Sequence, residues 1–356
     1  MSFFRAPPQP LQNLTTAIFA AAGCAADEAQ VVADHLVQAN LTGHDSHGVI
    51  RAPTYVRWLA EGKVLANQRL KVLFENDTLA VVDGQLGLGQ SIAQQAIQLG
   101  IAKASRGGVA VVSLRNSGHV GRVGHWAEMA VAAGLVSLHF VNTSGLGLLV
   151  APVGGISRRL SANPVAAGIP VAGGEPIIYD ISTASVAEGK LKVAFNKGVS
   201  VPEGCIIDAA GNPTRDPRVF YADPPGAILP FGGHKGYGLG IVAEILAGAL
   251  TGGGCSAPGK TRLEQGMLSI LLDPCVFQVG DHFLDDVRRF LDFVKSAEKA
   301  NPTAEILVPG DVERRHRAER GARGIELDDN TWRELADCAQ SLAVPAQLLA
   351  ACRASS

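Results

Sequence analysis

Aromatic residues are scarce in this chain: 12 Phe, 4 Tyr and 3 Trp among 356 residues, or 5%. So few rings argue against a surface that stacks nucleobases. Net charge is almost absent. Lys plus Arg number 31 against 33 Asp plus Glu, a balance of -2, and no basic block stands out. That excludes the electrostatic footprint of a nucleic-acid or anionic-membrane binder. No uncharged apolar run reaches the roughly 18 residues that a membrane-spanning helix needs. The six cysteines, Cys24, Cys205, Cys255, Cys275, Cys338 and Cys352, include no C-x-x-C pair and no zinc-site spacing. Such scattered thiols fit a reducing compartment. The opening MSFFRAPPQP has no basic region leading into an apolar stretch, so no secretory signal and a cytoplasmic protein are expected.

What is present is apolar material for a large core. Hydrophobic residues make up 47% and charged residues 18%, enough for about two domains at the usual ~150 residues each. Residues 8–62 read as helical, with Val31, Val32, Leu36 and Val37 at helical spacing. Within that stretch Asp45 or Ser46 is expected to cap a helical segment, with Pro53 in its first turn. KVLFEN and LAVVDG read as strands around an Asn76-Asp77 turn, 90–105 as a helix ended by Gly107-Gly108, and 109–114 as a buried strand. Residues 124–133 and 235–250 read as helices, 135–141 and 267–272 as strands, and 283–300 and 331–342 as further helices. The alternation argues for α/β layers. Residues 145–235 are rich in Gly and Pro and less regular, as loops that carry function often are.

Five segments could carry chemistry. GQLGLG at 84–89 lies between a strand and a helix, but it lacks the third glycine of G-x-G-x-x-G and the acidic residue about twenty positions on. It is read as a plain strand-to-helix turn. His44-Asp45-Ser46-His47-Gly48-Val49-Ile50-Arg51 packs two imidazoles, a carboxylate, a hydroxyl and a guanidinium together. If helical, it presents His47 and Arg51 on one face, the arginine to clamp a carboxylate and the histidine to move a proton. A cap with solvated neighbours explains the same residues equally well, and a metal site lacks an evident third ligand. His119 sits between glycines at a strand end, where ligands are approached closely. Asp180, Ser182 and Thr183 suit ribose and phosphate, or equally an N-cap. In PFGGHKGYGL, glycines at a helix start are expected to expose backbone N–H groups beside His234 and Lys235, suiting an anion.

Taken in order, DSHGVIR, NSGHVG, NTSG, GGISRRLSANPVAAGIP, YDISTASVAEGK, PEGCIIDAAGNPTRDP, LPFGGHKGYGL and VPGD resemble the malate/L-lactate dehydrogenase family that is unrelated to the Rossmann lactate and malate dehydrogenases. Its members include sulfolactate, ureidoglycolate and diketogulonate oxidoreductases and cyclic ketimine reductases. The resemblance runs from about residue 10 to 320 and rests on eight short motifs in the right order.

It implies a three-layer α/β fold with a mixed sheet, not a Rossmann fold. It implies one unit from 1–118 plus 300–356 carrying the acid/base histidine, and a central NAD(P)-binding unit at 119–299. It also implies a homodimer, a cofactor that is NAD or NADP, a small 2-hydroxy or 2-oxo acid as substrate, and no metal. His47 matches the family's acid/base histidine, and His119 a second one that some members use. Ser46 and Arg51 match neighbouring contacts. Ser144, Asp180, Ser182, Thr183, His234, Lys235, Gly310 and Asp311 match cofactor contacts. The chain departs from the family at Gly118, where a larger residue is usual, and at LSANP in place of LGTNP. Lys190 follows Gly189 as in hydroxy-acid members, which favours an oxo acid over a cyclic imine. A ketimine reductase is the nearest alternative, and a metal-dependent hydrolase using His44, His47 and His119 a more distant one.

Overall fold

The computed structural model describes residues 3–145, 147–277 and 281–353. The chain begins with strand β1 (Phe3–Ala6), helices α1 (Pro8–Ala21) and α2 (Ala26–Leu41), two 3-10 turns at 45–47 and 49–51, and α3 (Ala52–Ala60). Next come β2 (Lys71–Glu75), β3 (Leu79–Asp83), α4 (Gly89–Gly107), β4 (Val109–Ser117), α5 (Gly124–Ala132) and β5 (Val136–Gly145). The middle holds β6 (Val165–Ile169), β7 (Ile177–Ile181), α6 (Glu188–Lys197), β8 (Ile206–Ile207), β9 (Pro213–Thr214) and β10 (Ala227–Ile228). The remainder is α7 (His234–Glu244), β11 (Leu263–Leu272), α8 (Asp281–Lys295), α9 (Asp311–Arg323), β12 (Ile325–Asp328), α10 (Asp329–Ser341) and α11 (Ala346–Arg353).

Seven strands form one sheet in the order β2-β3-β4-β11-β5-β6-β7. Only β3 and β4 run parallel; the other neighbours are antiparallel. A Rossmann sheet is built from parallel crossovers, so this mixed sheet is a different construction, as expected. Helices cover both faces. Met267 and Val141 join Ile92, Ala96 and Trp126 in a core beneath α4 and α5. Gly266, next along β11 and therefore on the other face, lies against the π-helical turn 245–249 that continues α7. A Cβ there would stand 1.9 Å from Ala247 O, so only glycine lets that turn approach the sheet.

The two chain ends share a second core. Leu11, Leu14 and Ile18 of α1 and Val32 and Leu36 of α2 pack with Val49, Tyr55, Ile325, Leu327, Trp332 and Leu335. Each fully buried aliphatic side chain of this kind stabilises by about 1.5–3 kcal/mol. The pairing of β1 with β12, Phe4 opposite Leu327, fixes how the ends meet. A third core, including Val150, Leu160, Leu191, Ile206 and Phe220, organises the Gly- and Pro-rich middle of the chain.

The sequence reading of residues 8–62 as helical holds, with Pro53 in the first turn of α3. The capping expectation does not. The Asp45 carboxylate takes the Asn40 amide at 2.7 Å and the Arg320 guanidinium at 2.6 and 3.0 Å, so it anchors the 3-10 turn to α2 and α9. Helix α8 stops at Lys295 rather than 300. Helix α9 and the short α6 were not anticipated, because α9 buries none of its side chains and offers no apolar period to read.

Candidate active site

His47 and His119 lie face to face, ring centroids 5.5 Å apart and planes within 20°. Two different arrangements bring them there. The 3-10 turn 45–47 carries His47 and is pinned by Asp45, while Asn40 Oδ1 accepts the Val49 N–H at 2.9 Å. His119 follows β4, and the glycines of the 84–89 turn make room for it. A Cβ on Gly89 would stand 2.2 Å from His119 O, and one on Gly118 2.7 Å from Gly87 O. The chain's own backbone therefore occupies the space that a dinucleotide loop would leave for phosphate. The same contact leaves no room for a side chain at position 118.

Each ring is held through Nδ1. Ser46 Oγ is 3.0 Å from His47 Nδ1, and Tyr55 Oη is 2.5 Å from His119 Nδ1. Gln90 donates to the same tyrosine oxygen at 3.2 Å. The Nε2 edges remain for a ligand. Burial pushes the His47 pKa well down, aided by the neighbouring His119 and the charges of Arg51, His44 and Arg122. Burial, with Arg51 second, pushes His119 down to about 3. Both rings are therefore neutral at neutral pH and able to accept a proton.

Arg51 does not share a helical face with His47. Gly48, at ψ -158°, breaks the segment into two 3-10 turns. Arg51 Nε instead donates to Ser46 O at 2.6 Å, which ties the guanidinium to the 45–47 turn. Gly189 at the start of α6 closes against this turn, where an added Cβ would stand 2.7 Å from Ser46 Cβ. His44 is turned elsewhere, 3.4 Å from Glu313. Among the described residues no three His, Cys, Asp or Glu side chains converge as metal ligands.

The expected cofactor residues fall in three places. Asp180, at the end of β7, accepts the Gly124 N–H at 2.7 Å at the start of α5. Burial raises its pKa against the opposing pull of His44 and Arg122. Ser182 and Thr183 both donate to Ala162 O at 3.1 Å. That carbonyl belongs to the LSANP segment, where Ser161 donates to Asn163 Oδ1 at 2.6 Å. Ser144, on β5, takes Lys260 Nζ at 3.0 Å. His234 and Lys235 are exposed at the start of α7. Of the N–H groups expected to be free there, those of Lys235 and Gly236 are spent on Gly232 O and Phe231 O. Gly310, at φ 100°, leads into α9. Asp311 is closed off by ion pairs to Lys295 and Arg314. Although burial opposes ionisation, the Val308 N–H and those two cations hold its carboxyl down to about 2.

Lys235 and Arg122 both keep unmet capacity. The Lys235 ammonium has no polar partner among the described residues. Arg122 is 2% exposed, and among the described residues its Nε and Nη1 have no hydrogen-bond partner although Nη2 reaches Glu128 at 2.5 Å. It lies beside Asp180, since a Cβ on Gly124 would meet both Asp180 Oδ2 and Arg122 Nη1, at 2.9 and 3.1 Å. Unmet cationic donors beside a carboxylate fit a ligand carrying phosphates and ribose hydroxyls. The sequence reading passed over Arg122, Tyr55 and Gln90. Arg122 stood in plain view three residues after His119; the other two bear no motif.

Comparison with known proteins agrees with this architecture. The malate/L-lactate dehydrogenase family model matches residues 6–336. Hydroxycarboxylate dehydrogenase B of Escherichia coli (strain K12) is 39% identical over 348 residues, 96% of each chain. A solved malate/lactate dehydrogenase structure from E. coli superposes with a TM-score of 0.94 at 38% identity, covering 98% of this chain and 99% of the other. The structure of delta1-piperideine-2-carboxylate reductase from Pseudomonas syringae pvar. tomato gives 0.81 at 31% identity, covering 94% and 100%. With the family model spanning nearly the whole chain, this protein belongs to the malate/L-lactate dehydrogenase family.

Proposed function

We propose that the protein is an NAD(P)-dependent oxidoreductase that interconverts a small 2-hydroxy acid and its 2-oxo acid. The observation that carries this reading is the pair of neutral, stacked imidazoles with Arg51 tied to the same turn. A 2-hydroxy acid offers a carboxylate next to a carbinol carbon. Arg51, with Nε committed to Ser46 O, keeps its two terminal nitrogens for that carboxylate. The carbinol oxygen then lies against the histidine pair.

In the oxidising direction a neutral Nε2 takes the hydroxyl proton as the C2–H bond breaks and the carbonyl forms. In the reducing direction the imidazolium returns that proton to the oxygen. His119 is the better held of the two for this task, with Tyr55 and Gln90 behind it. His47 flanks it and is oriented by Ser46. A bound nicotinamide supplies the two-electron acceptor or donor for the C2 hydride. Asp180, Ser182, Thr183, Arg122 and Lys235 are the groups that would hold its ribose and phosphates, with Ser144, His234, Gly310 and Asp311 alongside by resemblance. Acid/base assistance of this kind contributes about 10²–10⁴-fold.

The same reading extends to a homodimer working in the cytoplasm. No helix of the described residues is long and apolar enough to cross a membrane. The test is titration with NADH and with NADPH, read by quenching of tryptophan fluorescence, followed by a panel of 2-oxo acids and one cyclic imino acid. Trp58 packs 5.7 Å from Tyr55, which touches His119, so the signal reaches the site. Saturable binding of one nucleotide and its oxidation by a 2-oxo acid support the reading. Turnover of the imine alone replaces it with a reductase, and binding of neither nucleotide to folded protein removes it.

A further inference from the structure

Behind His119 runs a hydrogen-bonded chain that no motif marks. Tyr55 Oη is 2.5 Å from His119 Nδ1, and Gln90 Nε2 is 3.2 Å from Tyr55 Oη. Tyr55 is 2% exposed and Gln90 0%, so water does not stand in for either. Their capacities are fixed: the hydroxyl has one proton to give, and a neutral imidazole has one N–H and one lone pair. With the Gln90 amide N–H on Oη, the hydroxyl proton points to Nδ1 and His119 carries its own proton on Nε2. With the carboxamide oxygen on Oη, the hydroxyl proton points to Oε1, Oη accepts from Nδ1–H, and Nε2 is left bare. In the first arrangement Gln90 Oε1 is buried without a hydrogen-bond partner. The second arrangement gives it one and sets the amide nitrogen in the position that lacks a partner.

Proton transfer requires the second. Nδ1 is committed to Tyr55, so only a bare Nε2 can take the substrate's hydroxyl proton. We propose that Gln90 is a positioning residue that sets the tautomer of His119 through Tyr55, rotation of its carboxamide switching the ring between its Nε2–H and Nδ1–H forms. This rests on the assignment of His119 as the proton-transfer group. During oxidation the hydroxyl proton moves to Nε2, Nδ1–H stays on Oη, and the C2 hydrogen leaves with its electron pair to the oxidised nicotinamide. Reduction reverses each movement. Tyr55 and Gln90 end each turnover in the state in which they began.

The experiment combines histidine ¹⁵N spectra with kinetics on Gln90→Met, Gln90→Glu and Tyr55→Phe. A carboxylate at position 90 only accepts, so Gln90→Glu is expected to give a protonated Nδ1 and a bare Nε2 at His119 and to retain at least about threefold more kcat than Gln90→Met. Gln90→Met offers no comparable acceptor and is expected to return the proton to Nε2. It should lower kcat about tenfold or more, within the range of acid/base assistance, at unchanged KM for the nucleotide. In the Tyr55→Phe background Gln90→Met should add no further loss, because its effect passes through the hydroxyl. An unchanged ¹⁵N pattern in both Gln90 variants overturns the proposal, as does an equal kcat loss from Gln90→Met with and without the Tyr55 hydroxyl. If no nucleotide and substrate pair turns over, the proposed function fails, while the spectra alone still decide the tautomer.

Discussion

His47 and His119 stack at 5.5 Å although one rides on a 3-10 turn after α2 and the other on a loop after β4. Their Nδ1 atoms are occupied by separate hydroxyls, Ser46 and Tyr55, so each ring keeps its Nε2 edge for another partner. Replacing either by Asn keeps a polar side chain of similar reach and removes the titrating ring. His119→Asn is expected to lower kcat by about 10²–10⁴-fold with nucleotide affinity retained. His47→Asn should have the smaller effect. Steady-state kinetics with a fluorescence titration of the nucleotide separate the two readouts, and near-normal turnover of both variants would refute the assignment.

Arg51 offers a second test. Its terminal nitrogens are assigned to the substrate carboxylate, and hydrogen bonds to charged groups contribute about 1.5–3 kcal/mol each. Arg51→Met should therefore raise KM for the acid roughly tenfold or more while leaving the nucleotide Kd in place. An unchanged KM would assign the carboxylate to another group.

Lys235 is exposed at the head of α7, so its removal should cost the fold little. Lys235→Ala is expected to weaken nucleotide binding severalfold, with the loss fading at high salt as the ammonium is screened. The unfolding midpoint should not move. Unaltered affinity at low salt would take Lys235 out of the cofactor site.

Gly89→Ala tests the seat of His119. The added methyl would lie 2.2 Å from His119 O and 2.4 Å from Gly118 O, both backbone atoms with little freedom to withdraw. Overpacking of this kind costs about 1–3 kcal/mol. A lowered melting temperature together with reduced kcat is the expected outcome, and a variant with both unchanged would mean that the turn is loosely fitted.

Buried neutral histidines set an acid limit on stability. His139, fully buried between Ser269 and Ser137, is pushed by burial from 6.5 to about 3. His35 is likewise held well below 6.5, by burial first and by His125 and Arg122 next. Both take up protons more readily when unfolded. Their contribution is thus complete above pH 6.5 and is lost as pH falls toward the folded values, by up to about 1.4 kcal/mol per pH unit for each. Calorimetry between pH 7 and 4 should show the melting temperature falling with acid, and His139→Gln should flatten the slope. An equal slope in that variant would place the acid sensitivity elsewhere.

The sequence by itself determined the helical start, the Asn76 turn, the strands at 109 and 267, and the identity of His47, Arg51 and His119 as residues of interest. These signals are local. Period, capping and turn chemistry act within a few residues, and a His-Ser-Arg cluster is visible wherever it folds. The resemblance of eight short motifs then pointed to the family and its mixed sheet.

Only the tertiary structure decided what those residues do to one another. It broke the expected His47 and Arg51 helix at Gly48 and rejoined Arg51 to the turn through Ser46 O. It made Asp45 an anchor for Arg320, more than two hundred positions away, rather than a cap. It spent two of the amides at the head of α7, those of Lys235 and Gly236, on the preceding loop. Helix α9, without an apolar face, became legible only through its contacts with α2 and β12. Tyr55, Gln90 and Arg122 emerged through burial and hydrogen bonds across the fold. The reason is physical: a short peptide fixes its own dihedrals, but the partner of a buried donor and the proton state of an imidazole depend on groups that meet only after the chain ends and the sheet have packed.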